Sequence, residues 1–210
     1  MSITNGIGVA CGAIIRVIVR ALALSRIHPN VLTFFGLVIN AVGAVLLARG
    51  QFFAAGWVIL GAGLFDMVDG RVARETNRVT LFGAFFDSVI DRYSDLALLI
   101  GLLVWYGKVN QPFYVVLTAL VMAATVMISY TRSRAENLIP TCKVGFMERP
   151  ERVVLLIIGA LFNKMAAVLW VIAVLGNLTV VHRMMFTFQE AKRLEDAQLR
   201  SVGKRAVGQG

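Results

Sequence analysis

Long apolar runs separated by short polar breaks dominate this chain. Five such runs occupy residues 31–48, 52–68, 81–105, 112–130 and 153–181. Each is long enough to cross the apolar core of a bilayer as a helix. Asn163-Lys164 interrupts the last run and predicts a tight turn there, with the preceding helix starting near Pro150. The pattern therefore predicts an all-α, polytopic membrane protein with six transmembrane helices.

The two ends of the chain differ from this pattern. Residues 7–24 are apolar, but Arg16, Arg20 and Arg26 fall toward one side of a helix. Such a segment is typical of an amphipathic helix that lies in the membrane interface. We therefore predict an interfacial helix over 1–28, a six-helix catalytic domain over 29–190, and a polar cytoplasmic tail over 191–210.

Composition and charge agree with a membrane protein and give its orientation. Hydrophobic residues make up 58% of the chain and charged residues 16%. The net charge is +9, and with a cytoplasmic N-terminus the outer loops hold only Arg49, Lys108 and Lys164 of the 21 basic residues. Basic residues prefer cytoplasmic loops, so we expect a multi-pass protein of the inner membrane. With no soluble domain to carry a recognition element, nucleic acid is excluded as a partner.

Aspartates cluster near the cytoplasmic ends of the second and third predicted spans. Asp66 and Asp69 are spaced i, i+3, while Asp87, Asp91 and Asp95 are spaced i, i+4, i+8. These spacings place each set on one helix face, and the two faces can meet at one depth. Converging carboxylates repel one another unless cations neutralise them, and oxygen ligands favour Mg²⁺, Mn²⁺ or Ca²⁺. The pattern predicts a site for two divalent metal ions.

Glycines and arginines beside the aspartates suggest which chemistry the metals serve. Gly70 and Gly83 leave room for a bulky ligand to approach the backbone. Arg74 and its basic neighbours on the same short loop supply positive charge for phosphate. Together these features indicate phosphoryl transfer at the membrane surface. The alternative is a cation or proton transporter that uses the buried aspartates, although it does not explain the glycines or Arg74.

The aspartate segment resembles the signature of the CDP-alcohol phosphotransferase family. The chain reads Asp66-x-x-Asp69-Gly70-x-x-Ala73-Arg74, eight residues, Gly83, three residues, Asp87, three residues, Asp91. The resemblance implies an enzyme whose metal ligands for two Mg²⁺ or Mn²⁺ ions are Asp66, Asp69, Asp87 and Asp91. It implies that Asp91 is also the catalytic base and that the enzyme is a homodimer. The residues it implies around the CDP-lipid are Asn30, Thr33, Gly70, Ala73, Arg74 and Gly83.

A second block is similar to the branch of this family that makes inositol lipids. It runs over residues 146–152, Phe-Met-Glu-Arg-Pro-Glu-Arg, and is joined by the segment 130–136. The resemblance implies transfer from CDP-diacylglycerol to an inositol phosphate, with CMP released and the acceptor phosphate held by Arg132, Arg152 and Arg183. Family members usually have lysine where this chain has Arg132.

The same chemistry with free inositol or glycerol 3-phosphate as acceptor remains open. The arginines could also serve only to anchor the cytoplasmic side among the membrane lipids. The role of Asp95 is also open: it is either a further metal ligand or a buried partner of an arginine.

Overall fold

The computed structural model describes the backbone of residues 29–75 and 80–207, and the side chains of residues 30–66 and 80–199. The predicted interfacial helix over 1–28 lies outside the described residues. Within them all the regular secondary structure is helical. The six helices are α1 (Pro29–Ala48), α2 (Phe52–Glu75), α3 (Leu81–Lys108), α4 (Pro112–Ala135), α5 (Arg149–Leu161) and α6 (Met165–Val207).

The apolar helices are joined by tight turns on one side of the bundle. Gly50, Asn110 and Asn163 adopt φ values of 75°, 53° and 52°, in the left-handed region that glycine and asparagine tolerate. Asn163 closes the turn between α5 and α6. The division of residues 153–181 into two helices is therefore confirmed.

Helix α3 packs against α1 and α4. A core of aliphatic residues, including Leu47, Ile59, Leu98 and Leu169, holds the helices together. Gly101 permits the closest approach, because a Cβ at this position would collide with the backbone of Ala44 in α1. Helix α2 packs on α1 and α5, and α6 packs mainly on α4. This packing brings the start of α5 beside the ends of α2 and α3 that carry the aspartates.

The outer surface is apolar, as expected for a protein in a bilayer. In the described part, three helices are long and apolar enough to cross a membrane: Asn30–Ala48, Pro112–Ala135 and Met165–Leu199. A shorter apolar helix covers Phe52–Asp66. Phe53, Phe113 and Leu178 are among the large side chains exposed on the outside. Exposed apolar surface of this extent fits contact with lipid.

Helix α6 continues beyond the apolar segment that sequence analysis assigned to it. It runs to Val207, so most of the segment predicted as a polar tail over 191–210 is helical. The residues concerned are mainly alanine, leucine, lysine, arginine, glutamate and glutamine, all good helix formers. Arg193 also pairs with Glu190 one turn earlier at 2.7 Å. Polarity therefore marks where the helix leaves apolar surroundings, and not where the helix ends.

Candidate active site

Three aspartates from two helices form the centre of the site. Asp66 lies near the end of the apolar part of α2, and Asp87 and Asp91 lie one turn apart on α3. One carboxylate oxygen from each lies within 4.8 Å of the corresponding oxygens of the other two, and all three side chains are half-buried. Helix α3 starts at the required place because Thr80 caps it, its Oγ1 accepting a hydrogen bond from the Gly83 amide at 2.9 Å.

The donor set fits divalent cations that prefer oxygen. Three carboxylates at this separation repel one another, and a cation bound between them removes the repulsion. Carboxylate oxygens without nitrogen or sulfur ligands favour Mg²⁺, Mn²⁺ or Ca²⁺. Asp69 lies one helical turn after Asp66, but its side chain is outside the described residues. The structure therefore brings together three of the four aspartates named from sequence.

A guanidinium group lies against these carboxylates. Nη1 of Arg149, the first residue of α5, is 2.6 Å from Oδ2 of Asp66 and 3.0 Å from Oδ1 of Asp91. Its Nε lies 3.5 Å from Oδ1 of Asp95. One arginine thus connects α5 with both helices that carry the aspartates.

Asp95 is a buried partner of arginine. Its side chain accepts a hydrogen bond from Nη2 of Arg152 at 2.8 Å, and the two residues are only 3% and 4% exposed. Nε and Nη1 of Arg152 have no hydrogen-bond partner. A buried guanidinium with two unsatisfied nitrogens is costly unless a ligand supplies acceptors. Arg152 therefore has two donors that its partners within the protein do not use.

A cleft of about 320 Å³ opens beside the aspartates on the α4 and α6 side. Its lining includes Asp91, Arg132, Glu148, Arg152 and Arg183. The three arginines predicted from sequence to bind the acceptor phosphate therefore share one cleft. Oε1 of Glu148 lies 3.5 Å from Arg132 and 3.4 Å from Arg183, so a carboxylate already partly neutralises the basic side chains.

Arg183 differs from Arg152 because each of its three guanidinium nitrogens has a partner within the protein. It is 2% exposed. Nε donates to the carbonyl of Val144 at 2.8 Å, Nη1 donates to the carbonyl of Ile128, and Nη2 faces Glu148. These bonds tie α6 to α4 and to the loop that precedes α5. Arg183 therefore positions the wall of the cleft, whereas Arg152 retains free donors.

Three of the six residues predicted to contact the nucleotide, Asn30, Thr33 and Gly83, lie where α1 and α3 begin. A Cβ at Gly83 would lie 2.9 Å from Oγ1 of Thr80 and 3.3 Å from Oδ1 of Asn30. Glycine is therefore needed for this close approach. Thr33 lies one turn after Asn30 and is buried. Gly70, Ala73 and Arg74 belong to the last two turns of α2, whose side chains are outside the described residues.

An apolar cavity of about 220 Å³ adjoins the aspartates on the opposite side. Its walls come from α1, α2, α3 and α5 and are mostly aliphatic, with Asp66, Asp95 and Arg149 at one end. Apolar walls that end at a cluster of charged groups suit a ligand with a hydrocarbon part and a polar head.

Comparison with known sequences identifies the family. Residues 26–189 match the profile of the CDP-alcohol phosphatidyltransferase family. The chain belongs to this family. Like other CDP-alcohol phosphatidyltransferases it is a phosphotransferase enzyme that uses divalent metal ions.

Individual relatives within the CDP-alcohol phosphatidyltransferases cover most of the chain. The archaetidylinositol phosphate synthase of Pyrococcus horikoshii is 36% identical over 178 residues, which are 84% of this chain and 90% of that protein. The crystal structure of Mycobacterium tuberculosis phosphatidylinositol phosphate synthase with CDP-DAG bound superimposes with a TM-score of 0.78 at 33% identity, covering 84% and 94% of the two chains. The structure of that enzyme with manganese and citrate gives a TM-score of 0.74 at 34% identity, covering 81% and 87%.

Sequence reasoning about this phosphatidyltransferase missed one feature of the site, the contacts of Arg149 with the aspartates. Arg149 belongs to the segment Glu148-Arg149-Pro150-Glu151-Arg152, in which Arg149 and Arg152 are spaced i, i+3 and so share a helix face. That spacing was a usable signal, but the partner of each arginine depends on how α5 packs.

Proposed function

We propose that this enzyme transfers a phosphatidyl group from CDP-diacylglycerol to a hydroxyl of an inositol phosphate and releases CMP. Family membership supports the reaction class. The relatives, which are archaetidylinositol and phosphatidylinositol phosphate synthases, support inositol phosphate as the acceptor. The bound ligands of the M. tuberculosis structures, CDP-DAG in one and manganese in another, support the donor and the metal requirement.

The position of Asp91 is the observation that carries the proposal. Asp91 is part of the carboxylate cluster and also lines the cleft that holds Arg132 and Arg152. A phosphate-bearing alcohol in this cleft brings a hydroxyl toward Asp91 while its phosphate faces arginine. This arrangement suits a carboxylate that accepts a proton from the attacking alcohol.

The reaction needs no covalent enzyme intermediate. The acceptor hydroxyl gives its proton to Asp91 as its oxygen forms a bond to the phosphorus that carries the lipid. The bond from that phosphorus to the CMP oxygen breaks, and CMP leaves with the bonding electrons. Two divalent ions held by Asp66, Asp69, Asp87 and Asp91 supply charge neutralisation on the diphosphate when bound.

Charge supports an acceptor that carries a phosphate. Arg152 has two buried nitrogens without partners, and phosphate oxygens are the acceptors that a guanidinium fork fits best. Free inositol offers only neutral hydroxyls, which are weaker acceptors for a guanidinium than phosphate oxygens. Glycerol 3-phosphate remains the second candidate because it also carries a phosphate.

The donor fits the other side of the aspartates. We propose that Asn30, Thr33, Gly70, Ala73, Arg74 and Gly83 surround the cytidine diphosphate. The closeness of Asn30 and Gly83 supports a common subsite. Part of the lipid occupies the apolar cavity next to Asp66.

We further propose six membrane crossings, with the interfacial helix over 1–28 before them and the active site facing the cytoplasm of the inner membrane. The distribution of basic residues supports this orientation. Family resemblance supports assembly as a homodimer among the membrane lipids.

A CMP-release assay tests the proposed function. Purified enzyme in detergent is incubated with CDP-diacylglycerol and either inositol phosphate, glycerol 3-phosphate, free inositol or no acceptor, with and without Mg²⁺ or Mn²⁺. We expect CMP only when metal and inositol phosphate are both present. Equal release with glycerol 3-phosphate or free inositol would reject inositol phosphate as the specific acceptor. Release of CMP without metal would reject the metal-dependent mechanism.

A further inference from the structure

The guanidinium of Arg149 lies against Asp66 and Asp91, where its positive charge offsets their negative charges. A single nitrogen, Nη1, contacts both Asp66 and Asp91, at 2.6 and 3.0 Å. These are two of the carboxylates that form the candidate metal cluster. The side chain of Arg149 is 27% exposed, so its charge is only partly screened by solvent.

The same carboxylate oxygens cannot serve a guanidinium and a divalent ion equally well. A metal ion bound between Asp66 and Asp91 lies a few ångströms from Nη1 and repels it. The ion must also replace the hydrogen bond that Arg149 donates to Asp66. Binding of metal and pairing of Arg149 with these aspartates are therefore in competition.

The position of Arg149 is fixed by its place in α5. It is the first residue of the helix, next to Pro150, and the preceding Glu148 has its amide bonded to Oε2 of Glu151 at 3.0 Å. Nε of Arg149 also faces Asp95, which pairs with Arg152. Asp95 therefore still offers a negative charge to Arg149 after the metal has displaced Arg149 from Asp66 and Asp91.

We propose that Arg149 is an internal counter-cation for the metal site. It holds Asp66 and Asp91 together before metal binds, and it lowers the affinity for divalent ions because each ion must displace it. The inference rests on the proposed metal site. It predicts how tightly that site binds divalent ions, which can be measured without the reaction.

Manganese binding to the purified full chain in detergent tests this role. Free Mn²⁺ is measured by electron paramagnetic resonance during a titration, without nucleotide or acceptor. We expect Arg149→Gln to bind Mn²⁺ about tenfold more tightly than the parent enzyme, since the metal no longer displaces a charge-assisted hydrogen bond. The thermal stabilisation produced by Mn²⁺ should increase in parallel.

Three further variants complete the design. Arg193→Gln removes an equal charge from an exposed ion pair on α6 and should leave the Mn²⁺ affinity unchanged. Arg149→Lys keeps the charge without the guanidinium fork and should tighten binding by a smaller factor, about threefold. It also serves as the test if Arg149→Gln does not fold. Asp87→Asn removes a proposed metal ligand and should weaken Mn²⁺ binding.

The outcomes separate this inference from the proposed function. Mn²⁺ affinity that is equal or weaker in the folded Arg149 variant, with Asp87→Asn still losing affinity, overturns the role of Arg149 and leaves the metal site intact. Failure of the parent enzyme to bind Mn²⁺, or no effect of Asp87→Asn, rejects the metal site and with it the inference.

Discussion

Replacing Arg152 by lysine tests the acceptor cleft with little disturbance to the buried charges. Arg152 donates to Asp95 at 2.8 Å, and its Nε and Nη1 have no partner. Lysine keeps a positive charge beside Asp95, which avoids the cost of about 3–5 kcal/mol for leaving a buried charge unpaired. It removes the two free donors that we assign to the acceptor phosphate.

The expected effect follows from the donors that are lost. One charge-assisted hydrogen bond contributes about 1.5–3 kcal/mol, which corresponds to a factor of about 10 to 150 in an equilibrium constant. Because two such donors are lost, we expect the KM for inositol phosphate to rise by at least that factor. The affinity for CDP-diacylglycerol should change by less than about twofold, because Arg152 lines the acceptor cleft and not the apolar cavity.

The assay measures CMP release over a range of inositol phosphate concentrations, together with binding of the CDP-lipid in the absence of acceptor. Arg193→Lys, an exposed position on α6, is the matched control and should leave both quantities unchanged. Thermal unfolding in detergent shows whether the Arg152 variant is folded. An unchanged KM in a folded variant, or equal losses for donor and acceptor, would refute the assignment of Arg152 to the acceptor phosphate.

Three other substitutions test separate parts of the account. Asp91→Asn should slow CMP release by a factor of about 10² to 10⁴ even at Mn²⁺ concentrations that saturate the variant in a titration, because it removes the proton acceptor; full activity would reject the base assignment. Glu148→Gln should lower the KM for inositol phosphate about two- to fivefold, since the carboxylate no longer competes for Arg132; a higher KM would show that Glu148 helps to bind the acceptor. Gly101→Ala should reduce the free energy of unfolding by about 1–3 kcal/mol, because its Cβ meets the backbone of α1. Gly107→Ala, on the same helix but facing open space, should leave the free energy of unfolding unchanged. Equal stabilities of the two variants in detergent would contradict the packing.

Much of the helical arrangement could be predicted from apolar periodicity and turn residues. The turn at Asn163 and the starts of the helices at Phe52, Leu81 and Pro112 coincide with polar or turn residues visible in the sequence. The extent of α6 could not be predicted in this way. Polar residues show that a helix has left apolar surroundings, but they do not show where the helix ends. The number of membrane crossings stays a prediction.

The site could be predicted where local spacing determines it. Helical periodicity puts Asp87 and Asp91 on one face, and few residues separate α2, which carries Asp66, from α3. Partners that come from elsewhere in the chain were not predictable. Arg149 reaches Asp66 across 83 positions of sequence, and the bonds of Arg183 to Val144 depend on the path of the loop before α5.

The central claim is that aspartates from α2 and α3 hold two divalent ions beside the acceptor cleft. Anomalous diffraction from crystals of the full chain grown with Mn²⁺ locates such ions directly. We expect two anomalous peaks within about 2–2.5 Å of the carboxylate oxygens of Asp66, Asp69, Asp87 and Asp91. Saturating Mn²⁺ with no peak at these carboxylates, or with peaks only at other residues, would contradict the account.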